Sequence, residues 1–80
     1  MECYIGEVVL FAFNFAPQGF VLCNGATLDI AQNQPLFALI GATYGGDGRI
    51  TFAVPNMLGA EPTPNLRYYI AVNGYYPPRS

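Results

Sequence analysis

Histidine, lysine and tryptophan are absent from this chain, and serine occurs once, as Ser80. Without histidine, the usual general base near neutral pH and the commonest metal ligand are missing. A lone serine at the last position, with no base to activate it, makes no nucleophile. Cysteine is scarce as well, and Cys3 and Cys23 without histidine do not make a zinc site. Charge is low, at 10% of residues, where about 25% is usual. Arg49, Arg67 and Arg79 are scattered and form no basic patch, so no nucleic-acid partner is expected. A basic amphipathic helix on a membrane surface is excluded for the same reason. The longest apolar run, residues 8–13, is too short to cross a bilayer, and no membrane insertion is expected. Glu2 and Glu7 precede that run in place of a positive segment, so no signal peptide is visible. Export, where it occurs, is then expected by lysis or a dedicated machine. These absences leave no catalytic constellation, no metal site and no cofactor site, and the chain reads as a non-enzyme.

What the sequence does contain is apolar surface: 52% of its 80 residues are hydrophobic. The length fits one domain over residues 1–80. A domain of that size buries only roughly 60% of the surface its unfolded chain exposes. Either the protein is poorly soluble, or the excess apolar area is covered by other chains. A homo-oligomer is expected on composition alone.

The local patterns predict an α+β fold, a small, mostly antiparallel β domain with one short helix packed on the sheet. Residues 4–13 read as a strand, with Val9, Phe11 and Phe13 on one side and Val8, Leu10 and Ala12 on the other. Apolar on both faces, this strand is expected to be buried on both, one covering layer coming from a neighbouring subunit. Pro17 and Gly19 mark a turn over residues 14–19, and residues 20–23 then return as the second strand of an antiparallel hairpin. Asn24-Gly25 is a tight-turn signal because both residues tolerate positive φ, and a short strand over 27–30 follows. Asn33 is placed to cap a helix, Pro35 fits its first turn, and Leu36, Leu39 and Ile40 share one face. Gly41 suits a left-handed C-terminal position. A glycine-rich loop then leads to a strand over 50–54, which Pro55 stops. Residues 56–65 read as an irregular connector. The last strand, residues 66–73, alternates Leu66, Tyr68, Ile70 and Val72 against Arg67, Tyr69, Ala71 and Asn73. Asn73-Gly74 turns the chain into an extended tail containing Tyr75, Tyr76, Pro77 and Pro78.

Four features carry alternatives. The loop Gly45-Gly46-Asp47-Gly48 invites a phosphate or calcium reading, but it lacks the lysine and Ser/Thr of a P-loop and the ligand spacing of an EF-hand. It reads as a structural turn in which Asp47 bonds to nearby backbone amides. Arg49 either pairs with Asp47, for about 0–1 kcal/mol if exposed, or fixes register at a subunit junction. Cys23 reads as a small core residue, with a bridge to Cys3, or a disulfide between chains through Cys3, as alternatives. The tyrosines read as interface packing, where tyrosine is enriched, or as platforms that stack on sugars. The candidate oligomer interface is therefore Val9, Phe11, Phe13, Arg49, Tyr68, Tyr69, Tyr75 and Tyr76. The structural turns are Asn24, Gly25, Gly45, Gly46, Asp47 and Gly48.

The ordered set of motifs resembles the phage tail-collar domain family, which includes the microcystin-dependent proteins. The matching pieces are Tyr4-Ile5-Gly6-Glu7-Val8 with Leu10-Phe11-Ala12, Phe15-Ala16-Pro17-Gln18-Gly19-Phe20, and Leu22-Cys23-Asn24-Gly25. Gln32-Asn33-Gln34-Pro35-Leu36-Phe37-Ala38-Leu39-Ile40-Gly41, Thr43-Tyr44-Gly45-Gly46-Asp47-Gly48 and Thr51-Phe52-Ala53-Val54-Pro55-Asn56 continue it. Tyr69-Ile70-Ala71-Val72-Asn73-Gly74 resembles the family's closing strand. The resemblance implies a structural component of phage tails, fibres or phage-derived extracellular filaments, located in a virion or an extracellular assembly. It implies a partner in further copies of itself, as an entwined trimer or an open fibre, with other tail or fibre proteins and surface glycans as further candidates. An adhesive, carbohydrate-binding module is the alternative function. Two departures mark a shortened form. Asn56-Met57-Leu58-Gly59-Ala60-Glu61 replaces the family's arginine-bearing stretch, and only residues 62–65 stand where a long glycine- and histidine-rich insertion is common.

Overall fold

The computed structural model describes residues 4–12 and 15–77. The elements in order are β1 (Val8–Phe11), β2 (Phe20–Leu22), β3 (Thr27–Asp29), α1 (Gln34–Ile40), β4 (Thr51–Ala53) and β5 (Arg67–Ala71). They form a three-stranded antiparallel sheet, β1-β5-β2, and a two-stranded antiparallel sheet, β3-β4. The α+β class expected from the sequence is the one observed.

The expected hairpin between the first two strands does not form. β5 lies between them, with Val9 opposite Tyr69 on one side and Leu22 opposite Tyr69 on the other. Only a central strand is covered on both faces and both edges, and β5 has the side chains that need it. Tyr69, Ile70 and Ala71 are all essentially inaccessible. The strand buried on both faces is therefore β5, not β1, which lies at the sheet edge with Val8 exposed and its other residues half-buried. β5 pairs on both edges within its own chain.

The alternation expected along β5 holds and divides the interior in two. Ile70, with Tyr68 and Val72 beside it, joins the main core of Ile5, Cys23, Leu36, Phe52 and Val54. Tyr69 and Ala71 face the other way and form a second cluster with Phe20, packed by Val9, Phe11 and Leu22. Phe11 meets Phe20 edge to face at 5.5 Å between ring centroids and Tyr69 at 5.7 Å, a favoured aromatic geometry.

Helix α1 closes the main core from above β4. Asn33 stands at the N-cap but makes no capping bond with its side chain; its amide nitrogen instead donates to the Asp29 carbonyl at 3.0 Å. The buried face is Leu36 with Phe37 and Ile40, rather than Leu36, Leu39 and Ile40. Leu39 remains exposed. Phe37 displaces it because its ring has more apolar area to bury and meets the Phe52 ring edge to face at 5.4 Å. Gly41 ends the helix at φ 60°, ψ −154°, a region essentially restricted to glycine but distinct from the left-handed helical one expected.

The Asn24-Gly25 turn stands between the two sheets. It carries the chain from the first sheet to the second, since β2 pairs with β5 and β3 with β4. Gly25 alone takes positive φ, at 79°. The Asn24 side chain accepts the Ala26 amide at 3.0 Å, which bends the chain without a left-handed asparagine.

Cys23 is a free thiol in the main core, so the core-residue reading stands; Cys3 lies outside the described residues. Desolvation by burial pushes the Cys23 thiol from an ordinary 9.0 up to about 11. The unfolded chain thus loses this proton first as pH rises. The stability that the neutral buried thiol contributes is complete below about pH 9 and is lost as pH climbs towards 11. Denaturation midpoints of the wild type should fall over that range by the equivalent of about 2 kcal/mol more than those of Cys23→Ala. Parallel curves for the two proteins would contradict this assignment.

Candidate assembly surface

The glycine-rich loop is built around one carboxylate. Asp47 Oδ1 accepts the backbone amides of Arg49 (2.9 Å), Ile50 (2.9 Å) and Thr51 (3.0 Å), and the Thr51 hydroxyl at 3.3 Å. The three residues donate because the loop turns back on itself, with Gly48 N–H bonded to the Thr51 carbonyl at 2.9 Å. These bonds, the Thr51 amide foremost and then those of Arg49 and Ile50, hold the Asp47 carboxyl well below its ordinary range. The expected turn in Asp47 is thus the observed one. The link between Asp47 and Arg49 runs through the Arg49 backbone amide. Among the described residues, no group of three or more His, Cys, Asp or Glu is placed to hold a metal ion.

A depressed carboxyl stabilises the fold above its ordinary pKa of 3.8 and loses that contribution as pH falls below it. Asp47→Asn keeps an acceptor oxygen but not the charge, and Asp47→Ala keeps neither. At neutral pH the thermal midpoints should rank wild type above Asp47→Asn above Asp47→Ala. In acid the first gap should close. A wild-type advantage over Asp47→Asn that persists at low pH would show that charge is not its source.

The candidate interface residues do not form one patch. Val9 and Phe11 are half-buried against Phe20 and Tyr69. Tyr68 is half-buried against the main core. Tyr69 is 1% exposed and belongs to the interior of its own chain, so it presents nothing to a neighbour. Phe13 lies outside the described residues. Arg49 is exposed at the glycine loop.

Tyr75 and Tyr76 are exposed but do not hang free as a tail. Tyr75 forms a parallel bridge with Tyr4, and its carbonyl accepts the Ile5 amide at 2.9 Å. The two ends of the described chain are thereby tied together, and Tyr4, Tyr75 and Tyr76 share one region of surface. Leu39 approaches the same segment, 3.7 Å from where a Cβ on Gly6 would stand.

Sequence reasoning missed further exposed apolar side chains. Ile50 is 69% exposed, Phe15 64% and Leu58 53%. Ile50 was expected inside a strand, but β4 begins one residue later, at Thr51, and the alternation gave no sign of it. No described polar or charged residue is buried. Among the described residues the surface therefore presents several exposed aromatic and aliphatic side chains.

A family model described as Phage Tail Collar Domain matches residues 6–62. That stretch holds β1 to β4 and α1, while β5 follows it. No curated protein and no solved structure matches the chain.

Proposed function

The chain belongs to the phage tail collar domain family, a structural tail domain, and from that premise we propose that it is a self-assembling subunit of a phage tail, fibre or phage-derived filament. The observation that carries this reading is its exposed apolar surface. Ile50, Phe15, Tyr75, Leu58, Tyr44 and Tyr4 are each at least half exposed, on a chain with only 10% charged residues. Scattered single apolar residues are ordinary; this many on an 80-residue chain leave too little polar surface to keep copies apart. Contact between copies removes that surface from water. Its place is a virion or an extracellular assembly, and no helix among the described residues is long and apolar enough to cross a membrane.

Light scattering with negative-stain imaging of the same sample tests the proposal. A stable oligomer or fibre at low micromolar concentration is expected. A well-behaved monomer would overturn it.

The grouping of Tyr4, Tyr75 and Tyr76 supports a second reading, a surface on which sugar rings stack. Glycan-array binding that disappears in the double variant Tyr75→Ala/Tyr76→Ala, with native mass unchanged, would establish it. Silence across a broad glycan set would remove it.

A further inference from the structure

We propose that copies of this chain join through the outer edge of β1, pairing antiparallel with β1 of a second copy across a two-fold axis at Val9. The inference rests on the self-assembly reading and names one contact within it, which joins copies in pairs.

The register identifies the free groups. The Ala71 amide donates to the Glu7 carbonyl at 2.9 Å, and bonding alternates every second residue along an antiparallel ladder. Val9 and Phe11 therefore bond Tyr69 and Arg67, while Val8 and Leu10 aim their N–H and C=O groups away from the sheet. No hydrogen bond within the chain claims those outward groups among the described residues.

The other strand edges are guarded. On β2, the Phe20 amide is taken by the Pro17 carbonyl and the Leu22 carbonyl by the Asn24 amide. On β4, the Ala53 amide goes to Gly45 and the Thr51 carbonyl to Gly48. On β3, Asp29 places a charge on the edge, and its carbonyl is taken by the Asn33 side chain. β1 carries neither charge nor proline along its four residues, Val-Val-Leu-Phe.

A second copy is the occupant these features fit. With Val9 opposite Val9, Val8 of each copy stands opposite Leu10 of the other, and both outward pairs are satisfied at once. Such a contact is self-complementary, as a two-fold interface requires. The face that carries Val9 and Phe11 continues the Phe20–Tyr69–Ala71 cluster across the seam. Charge favours the antiparallel direction, which keeps the Glu7 residues of the two copies at opposite ends of the seam, whereas parallel pairing would set Glu7 beside Glu7.

The test is a cross-link. Directly opposite residues of a non-hydrogen-bonded antiparallel pair have Cα atoms about 4.5 Å apart, within disulfide reach. Val9→Cys in a Cys3→Ser background should give a covalent dimer as the main species on mild oxidation, with the native mass of the assembly unchanged. Leu10→Pro supplies the second arm. Of the ladder groups it removes only an outward amide, which an edge strand tolerates, and it should lower the native mass at least twofold while the circular dichroism stays that of the folded chain. If the wild type assembles but Val9→Cys does not cross-link, this contact is wrong and the assembly reading survives. A monomeric wild type would overturn both.

Discussion

Gly46→Ala is expected to leave little folded protein. Gly46 takes φ +84°, and a Cβ placed there would stand 2.7 Å from the Thr51 carbonyl oxygen and 2.8 Å from the Phe52 amide nitrogen, as well as against Phe52 Cα. All three atoms are backbone of β4, so no side chain can rotate away. Overpacking costs typically about 1–3 kcal/mol, and a left-handed non-glycine residue about 1–2 kcal/mol more. The sum, roughly 2–5 kcal/mol, is comparable with the lower end of the total stability of small domains, about 5 kcal/mol. Gly59→Ala is the control, because Gly59 has a similar φ of +88° and nothing within 4 Å. It should cost only the backbone strain. Soluble yield and thermal midpoint measured on both variants check the comparison. Equal behaviour would mean that the loop yields and that its close approach to β4 is not needed.

Truncating Phe52 should be the most damaging change in the core. Its ring is fully inaccessible, stands in β4 and meets Phe37 of α1 edge to face. Phe52→Ala removes the surface that holds the helix onto the smaller sheet, and core changes of this kind cost about 3–5 kcal/mol. A two-turn helix has no stability of its own to fall back on. For a domain of this size each kcal/mol moves the thermal midpoint by roughly 4–8 °C, so a drop of more than about 12 °C is expected on the same scale. Phe52→Leu keeps most of the volume and should lose clearly less. A small effect of Phe52→Ala would show that the helix is held by other contacts.

The two variants act on elements that differ in how far they can be read from sequence. The loop was legible: three glycines around an aspartate that lacks every accompanying motif residue point to a turn, and Asp47 bonds the backbone as such a turn predicts. The helix was legible in its limits, Gln34–Ile40 between Asn33 and Gly41, because proline and glycine act locally. Its buried face was not, since the choice between Phe37 and Leu39 depends on where the Phe52 ring stands. The hairpin expected for the first two strands failed for a related reason. Pro17 and Gly19 announce a turn, but a turn does not say which strand lies beside which. β5, more than 40 residues beyond β2 in sequence, competes for the same edge and wins it because both its faces are apolar.

The candidate interface divides along the same line. Tyr75 and Tyr76, expected in an extended stretch after Asn73-Gly74, are exposed. Tyr69 was counted with them although it is buried, since a tyrosine in an alternating strand carries no mark of which side is covered. Ile50, Phe15 and Leu58 were missed because exposure of a lone apolar residue beside a turn has no pattern.

By itself the sequence determined the family, since the order of its motifs is that of a collar domain, and it carries many apolar residues with little charge. Local signals, acting over a few residues through φ preferences and side-chain bonds, also set its turns and its helix ends. Only the tertiary structure decided which strand sits in the middle, which aromatic rings are spent in the interior, and which strand edge remains open. Those outcomes follow from competition among distant segments for the same burial, and β1 is left at the edge because β5 has more to bury.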